Sequence, residues 1–233
     1  MGKSPQNLPL LINVHGGPTL RFSWTPNPQT LLAANLGIAV LSVNFRFSLG
    51  FGNKYTDSAS RDKLLAQNDI LDATKWAIKI GIADPKRIGI MGHSYGGYST
   101  FFQAATHPEL YRVAIPQMGI WDWTDLGDEL VQKEVVPVSH LCVAPLPHTE
   151  LARVMSPSSF ADRLKAPILI VYSGQDQAVY PSQNIKAINK LTELGNPPEV
   201  LYLPDDPHSP ASIESFEMMF EAMQGFLIKN FLD

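Results

Sequence analysis

The chain has 233 residues, 45% hydrophobic and 17% charged, which is enough apolar material for one full core and too little charge for a disordered segment. A net charge of −4 offers no basic stripe for a nucleic acid, and no run reaches the roughly 18 apolar residues that would cross a membrane. Met1–Asn7 is short and polar, unlike a secretion signal, and the lone Cys142 excludes an internal disulfide, fits a reducing, cytoplasmic setting and reads as a small packed residue.

In chain order, short apolar runs at Pro9–Val14, Ile38–Asn44, Arg87–Met91, Val113–Gln117, Pro167–Tyr172 and Glu199–Leu203 predict six strands. They are continuously apolar rather than alternating, as strands covered on both faces should be. Helical periodicity separates them. Ile70, Ala73, Ala77 and Ile80 form one stripe and end at Gly81, where a left-handed cap belongs. A second stripe, Ile185, Ile188, Leu191 and Leu194, ends at Gly195. Phe216, Met219, Phe220, Met223, Phe226 and Leu227 mark a last helix whose Met and Phe side chains read as core packing. The stretch from Trp121 to Ser159 has no strand pattern and reads as an insertion over one face or a long connection. Alternating strands and helices without repeats or linkers predict one α/β domain over 1–233, with a mainly parallel sheet and helices on both faces.

The third predicted strand runs directly into Gly92-His93-Ser94-Tyr95-Gly96, followed by Gly97 and renewed helical pattern at Phe101, Phe102 and Ala105. This is the G-x-S-x-G elbow of the α/β-hydrolase fold, in which a serine on a strained strand-to-helix turn projects above the sheet. Side chains at positions 92 and 96 would collide with neighbouring backbone, and the Tyr95 N–H stands at a helix N-terminus where it can meet an oxyanion. A phosphate-binding loop is the competing reading, but the Lys-Ser/Thr pair is absent and the glycines are not spaced G-x-G-x-x-G.

The fold orders its triad as Ser, then acid, then His. Asp176 sits just after a strand in Pro-Ile-Leu-Ile-Val-Tyr-Ser-Gly-Gln-Asp, and His208 is the only histidine that follows it. Ser94 is thus the expected nucleophile, His208 the base and Asp176 its orienting carboxylate. Asp205 and Asp206 are the runner-up acids, expected to solvate the loop or raise the His208 pKa. His15-Gly16-Gly17-Pro18 ends the first strand, where the fold takes its second oxyanion donor; the Gly17 N–H is the candidate and His15 a shaping residue. No histidines fall at metal-ligand spacing, so neither metal nor cofactor is expected.

These segments, with Asn44-Phe-Arg-Phe-Ser-Leu-Gly-Phe-Gly52, Gly81-Ile-Ala-Asp-Pro-Lys-Arg-Ile88, the extended elbow Ser94-Tyr-Gly-Gly-Tyr98 and Ser156-Pro157, resemble in order the catalytic domain of the prolyl oligopeptidase family, especially its acylaminoacyl-peptidase-like branch. The resemblance runs from about Leu8 to Phe231. It implies that Asp176–Val179 is the D-x-x-V acid segment, that Tyr95 and Gly17 are the oxyanion donors, and that Trp121 and Trp123 line a hydrophobic substrate pocket; core or lid packing is the alternative for the two tryptophans. The chain departs from the family pattern at Phe47, where relatives often carry glycine, and at Ala178, Tyr180, Pro207 and Ser209. The two opening strands and the N-terminal β-propeller of relatives have no counterpart in this sequence.

The resemblance implies a serine peptidase acting on short or N-acylated peptides through an acyl-enzyme. A carboxylesterase on small esters would use the same groups, and an inactive binding or assembly domain would keep only the fold. Small peptide or ester substrates are the partners expected, with no nucleic acid and no membrane, and a homo-oligomer is compatible with the family.

Overall fold

The computed structural model describes residues 5–134 and 144–232, so Cys142 and His140 lie outside the described residues. Six strands form one sheet: β1 (Leu8–Val14), β2 (Ala39–Val43), β3 (Ala83–His93), β4 (Val113–Gln117), β5 (Leu169–Ser173) and β6 (Glu199–Leu203). Every pairing is parallel and the spatial order is β2-β1-β3-β4-β5-β6. All six predicted strands are present. β3 begins earlier than its apolar run because Ala83 pairs with Leu8 before the register shifts and resumes at Ile88 opposite Leu10. The Asp84 carboxylate stabilises that irregularity, accepting from the Lys86 N–H at 2.9 Å and from Arg87 Nε at 2.8 Å.

Alternation along β1 splits the core into two layers. Leu10, Ile12 and Val14 face α3 (Leu65–Lys79), α4 (Tyr95–Thr106) and α7 (Pro181–Glu193), whose Ile70, Phe101 and Leu191 share their cluster. Leu11 faces the opposite side, with Ala33 of α1 (Pro28–Asn35) and Met219, Met223 and Phe226 of α8 (Ile213–Leu227). The Met and Phe stripe of α8 is therefore core, except that Phe216 at its start is 42% exposed.

Coverage of the strands is not uniform, contrary to the expectation from their apolar runs. β4 is buried at every position, whereas β6, an edge strand, leaves Val200 and Tyr202 exposed. An edge strand has a neighbour on one side only, and apolar composition does not reveal which strand that will be. The stripe on α7 is likewise turned from its predicted position. Ala187 and Leu191 are buried with Gln183 and Asn184, while Ile185 and Leu194 are exposed. Gln183 is drawn inward because its Oε1 accepts from the Trp121 and Asp122 N–H groups at 3.1 and 3.0 Å.

The 121–159 stretch contains helices. α5 (Trp123–Gln132) is capped by the Asp122 carboxylate, and α6 (Glu150–Met155) by Thr149. Two further helices, α1 and α2 (Asn53–Arg61), fill connections that the apolar pattern leaves blank.

Candidate active site

Chain order places the C-terminal ends of β1, β3, β5 and β6 along one edge of the sheet, and the expected residues come from the loops that leave it. β1 and β3 are neighbours although β2 lies between them in sequence, so the His15–Pro18 loop and the elbow open at the point where the strand order reverses.

The elbow is strained. Ser94 has φ of 60° and ψ of −118°, a conformation that costs about 1–3 kcal/mol and persists only where packing over-determines it. That packing is backbone on backbone. A Cβ at Gly92 would lie 2.5 Å from the Gly96 carbonyl oxygen, and one at Gly96 would overlap the Val14 carbonyl. The Ser94 N–H is also held, donating to the Gln117 carbonyl of β4 at 2.8 Å. The Ser94 side chain does not cap α4, so its hydroxyl is free for another partner.

That partner is His208. The Ser94 hydroxyl donates to His208 Nε2 at 2.8 Å, and His208 Nδ1–H donates to Asp176 Oδ2 at 2.7 Å. Asp176 is buried, and its other oxygen accepts from the Ala178 and Val179 N–H groups at 2.8 and 2.9 Å. The carboxylate is therefore fixed by its own turn before it meets the imidazole. A neutral His208 with the proton on Nδ1 satisfies both contacts at once.

The first-strand loop abuts the nucleophile. A Cβ on Gly16 would sit 3.2 Å from Ser94 Cβ, and Gly17 has φ of 113° with no space for a side chain. His15 is buried behind this loop, with Nδ1 2.8 Å from the Gly16 carbonyl and Nε2 2.8 Å from Ser48 Oγ, and it stacks on Phe45. Burial lowers its pKa, so it is a neutral spacer and stands apart from the Ser94–His208–Asp176 chain. Phe47 has φ of 102° and is buried edge-on to Tyr95. A positive φ favours glycine, and this chain carries the strain there with an aromatic side chain.

Trp121 and Trp123 are 2% and 1% exposed. Trp121 packs edge-on against Phe101 and Trp123 against Tyr98, so both are part of the packing between α4 and α5, closed to solvent as they stand. Two cavities flank the triad-like chain. One of about 320 Å³ lies on the Asp176 side, with the Lys133 ammonium 3.5 Å above the Tyr180 ring. The other, about 290 Å³, lies on the opposite side between His15, His93, Phe22 and Phe220.

Two residues hold places here that the sequence reading did not give them. Asp206 is buried and accepts from the Ala211 N–H at 2.7 Å and the Ser215 hydroxyl at 2.5 Å, while its carbonyl accepts from the Gln175 N–H at 3.0 Å. It is a clamp on the His208 loop rather than a solvating acid. His93, given no role in the sequence reading, reaches the His208 backbone: its Nε2–H donates to the His208 carbonyl at 2.6 Å. Its position inside the elbow motif was the available signal.

The profile of the Prolyl oligopeptidase family matches residues 21–233. The chain is 29% identical over 238 residues to dipeptidyl aminopeptidase BIII of Pseudoxanthomonas mexicana, covering 97% of this chain and 34% of that protein. It is 30% identical over 210 residues to the acylamino-acid-releasing enzyme of Arabidopsis thaliana, covering 86% of this chain and 27% of that one. Among solved structures, a Pyrococcus horikoshii acylaminoacyl peptidase superposes with a TM-score of 0.84 at 25% identity, over 99% of this chain and 38% of that chain. A Mycobacterium tuberculosis puromycin-hydrolyzing peptidase gives 0.86 at 27% identity, over 97% and 34%. The chain therefore spans about a third of the length of these relatives. A profile match over nearly all the chain, an α/β-hydrolase sheet and a strained elbow serine lead to one assignment: the chain belongs to the prolyl oligopeptidase family.

Proposed function

We propose that this chain is a serine peptidase catalytic domain that cleaves short or N-acylated peptides through an acyl-enzyme intermediate. The observation that carries the reading is the unbroken hydrogen-bond chain from the Ser94 hydroxyl through His208 to the buried Asp176, at 2.8 and 2.7 Å. Ser94 Oγ attacks the scissile carbonyl carbon while His208 Nε2 takes its proton, and His208 returns that proton to the leaving amine. Asp176 holds the imidazole tautomer and stabilises the imidazolium between these steps. The Tyr95 and Gly17 N–H groups receive the carbonyl oxygen as it becomes an oxyanion. Water then repeats the sequence on the acyl-enzyme. No step needs a metal or cofactor. The peptide specificity draws on the relatives, which are named as acylamino-acid-releasing and dipeptidyl aminopeptidase enzymes.

The test compares wild type with Ser94→Ala on N-acyl-peptide p-nitroanilides and p-nitrophenyl esters. Loss of the serine is expected to lower kcat on both by about 10⁶. Turnover of esters alone by wild type would replace the peptidase with a carboxylesterase, and a folded wild type inert on both would leave a binding domain.

A further inference from the structure

The loop that delivers His208 runs from the end of β6 to the start of α8, and most of its hydrogen bonds lie away from the histidine. The Asp206 carboxylate ties the loop to Ala211 and Ser215, within the loop itself and the first turn of α8. The Asp206 carbonyl ties it to the Gln175 N–H beside Asp176. Both contacts join the base loop to itself or to the acid loop, and neither connects it to the nucleophile. Between the elbow and the backbone of residue 208 there is one hydrogen bond, from His93.

We propose that His93 is a positioning residue that docks the His208 backbone onto the nucleophile elbow and so sets the Ser94–His208 distance. This inference rests on the Ser94–His208–Asp176 reading above. His93 and Ser94 are adjacent in sequence, at the end of β3 and on the strained turn. The turn sends the Ser94 hydroxyl to His208 Nε2 and the His93 ring to the His208 carbonyl. One imidazole is therefore gripped at both its side chain and its backbone by consecutive residues. The His93 ring lies against that of His208, with centroids 4.8 Å apart, and the Ser209 hydroxyl lies 3.2 Å from the same Nε2.

The carbonyl can only accept, so His93 Nε2 carries the proton. The ring needs no charge to make this bond. Burial and the neighbouring His208 hold the His93 pKa down, to about 4, so the neutral donor persists where His208 must act as a base. A ring at this place without an N–H would fill the same volume and leave the His208 carbonyl without its partner. An error of about 1 Å in the reach of a base is enough to cost on the order of 10² in rate, without altering how substrate is held.

The experiment compares His93→Phe with His93→Gln, whose amide can place a donor near the imidazole Nε2, alongside wild type and Ser94→Ala, on one N-acyl-peptide p-nitroanilide. His93→Phe is expected to lower kcat by about 10² with KM nearly unchanged. His93→Gln is expected to recover most of that loss. Thermal midpoints of the two variants are measured in parallel, so that rescue by the donor is separated from rescue of folding. Wild-type kcat in His93→Phe, or equal losses in both variants at equal stability, overturns the positioning role. Full turnover in Ser94→Ala overturns the underlying triad instead.

Discussion

Ser94 and His208, the two halves of the proposed reactive pair, are held by different means. Ser94 stands on a turn locked by backbone contacts among Gly92, Gly96 and Val14, with its N–H bonded into β4. His208 stands on a loop held mainly through two side chains, the Asp206 carboxylate, which accepts from the Ala211 N–H and the Ser215 hydroxyl, and His93, which donates to the His208 carbonyl, with one backbone bond from the Gln175 N–H to the Asp206 carbonyl. Backbone packing is stiff and permits almost no substitution, whereas side-chain clamps can be loosened one at a time. The elbow should therefore fail as a unit, and the base loop should fail by degrees.

The largest effect is expected at the elbow. Gly96→Ala would drive a methyl group into the Val14 carbonyl, with backbone on both sides and no flexible side chain to yield. A loss of about 4 kcal/mol or more is expected, read as a collapse of the urea midpoint together with activity. Retention of wild-type stability would mean that the close packing is not what constrains the turn.

A smaller effect is expected from acid. The His93 pKa, lowered from its ordinary 6.5 to about 4, is depressed in the folded chain first by burial and then by His208. The unfolded chain takes up this proton near pH 6.5 and the folded chain only near 4, so the unfolded state binds more protons in between. The stability from a neutral His93 is complete above about pH 6.5 and falls as the pH drops towards 4, by at most about 1.4 kcal/mol per unit. Urea titrations of wild type and His93→Gln at pH 7, 5.5 and 4.5 should differ in slope, with the variant flatter. Identical slopes would place the acid sensitivity elsewhere.

The smallest is expected at the other clamp. Asp206→Ala leaves the Ala211 N–H and the Ser215 hydroxyl without their acceptor. A cost of about 1–3 kcal/mol is expected from the lost bonds, with kcat reduced more than KM is raised. If KM alone moves, the loop shapes substrate binding and not the base.

The same contrast decides what could be read from the amino-acid order. The elbow was legible because its constraint is local: a close approach that excludes side chains appears as glycines at fixed spacing around Ser94. Asp176 was legible for a similar reason, since it lies just after a strand, three residues beyond the end of β5, and binds N–H groups two and three residues on. The clamps were not, because the partners of Asp206 and His93 are chosen by tertiary contact, and a buried acid in Asp205-Asp206 looks like a solvated one. The turned stripe on α7 has the same origin, a polar Gln183 summoned inward by the loop before α5. The α1 helix is a different case. Asn27-Pro28 is a cap followed by a first-turn proline, a start signal present in the sequence that apolar periodicity does not detect.

The parallel order of the sheet also has a consequence in time. The Ser94–His208 bond joins residues 114 apart in sequence, and Asp176 and His208 lie on loops following the last two strands, β5 and β6. A chain emerging from synthesis N-terminus first completes the first four strands while the carboxylate and imidazole are still to be made. Its serine is then an ordinary alcohol. On the proposed reading, the nucleophile gains its base only after the loop between β6 and α8 has been made.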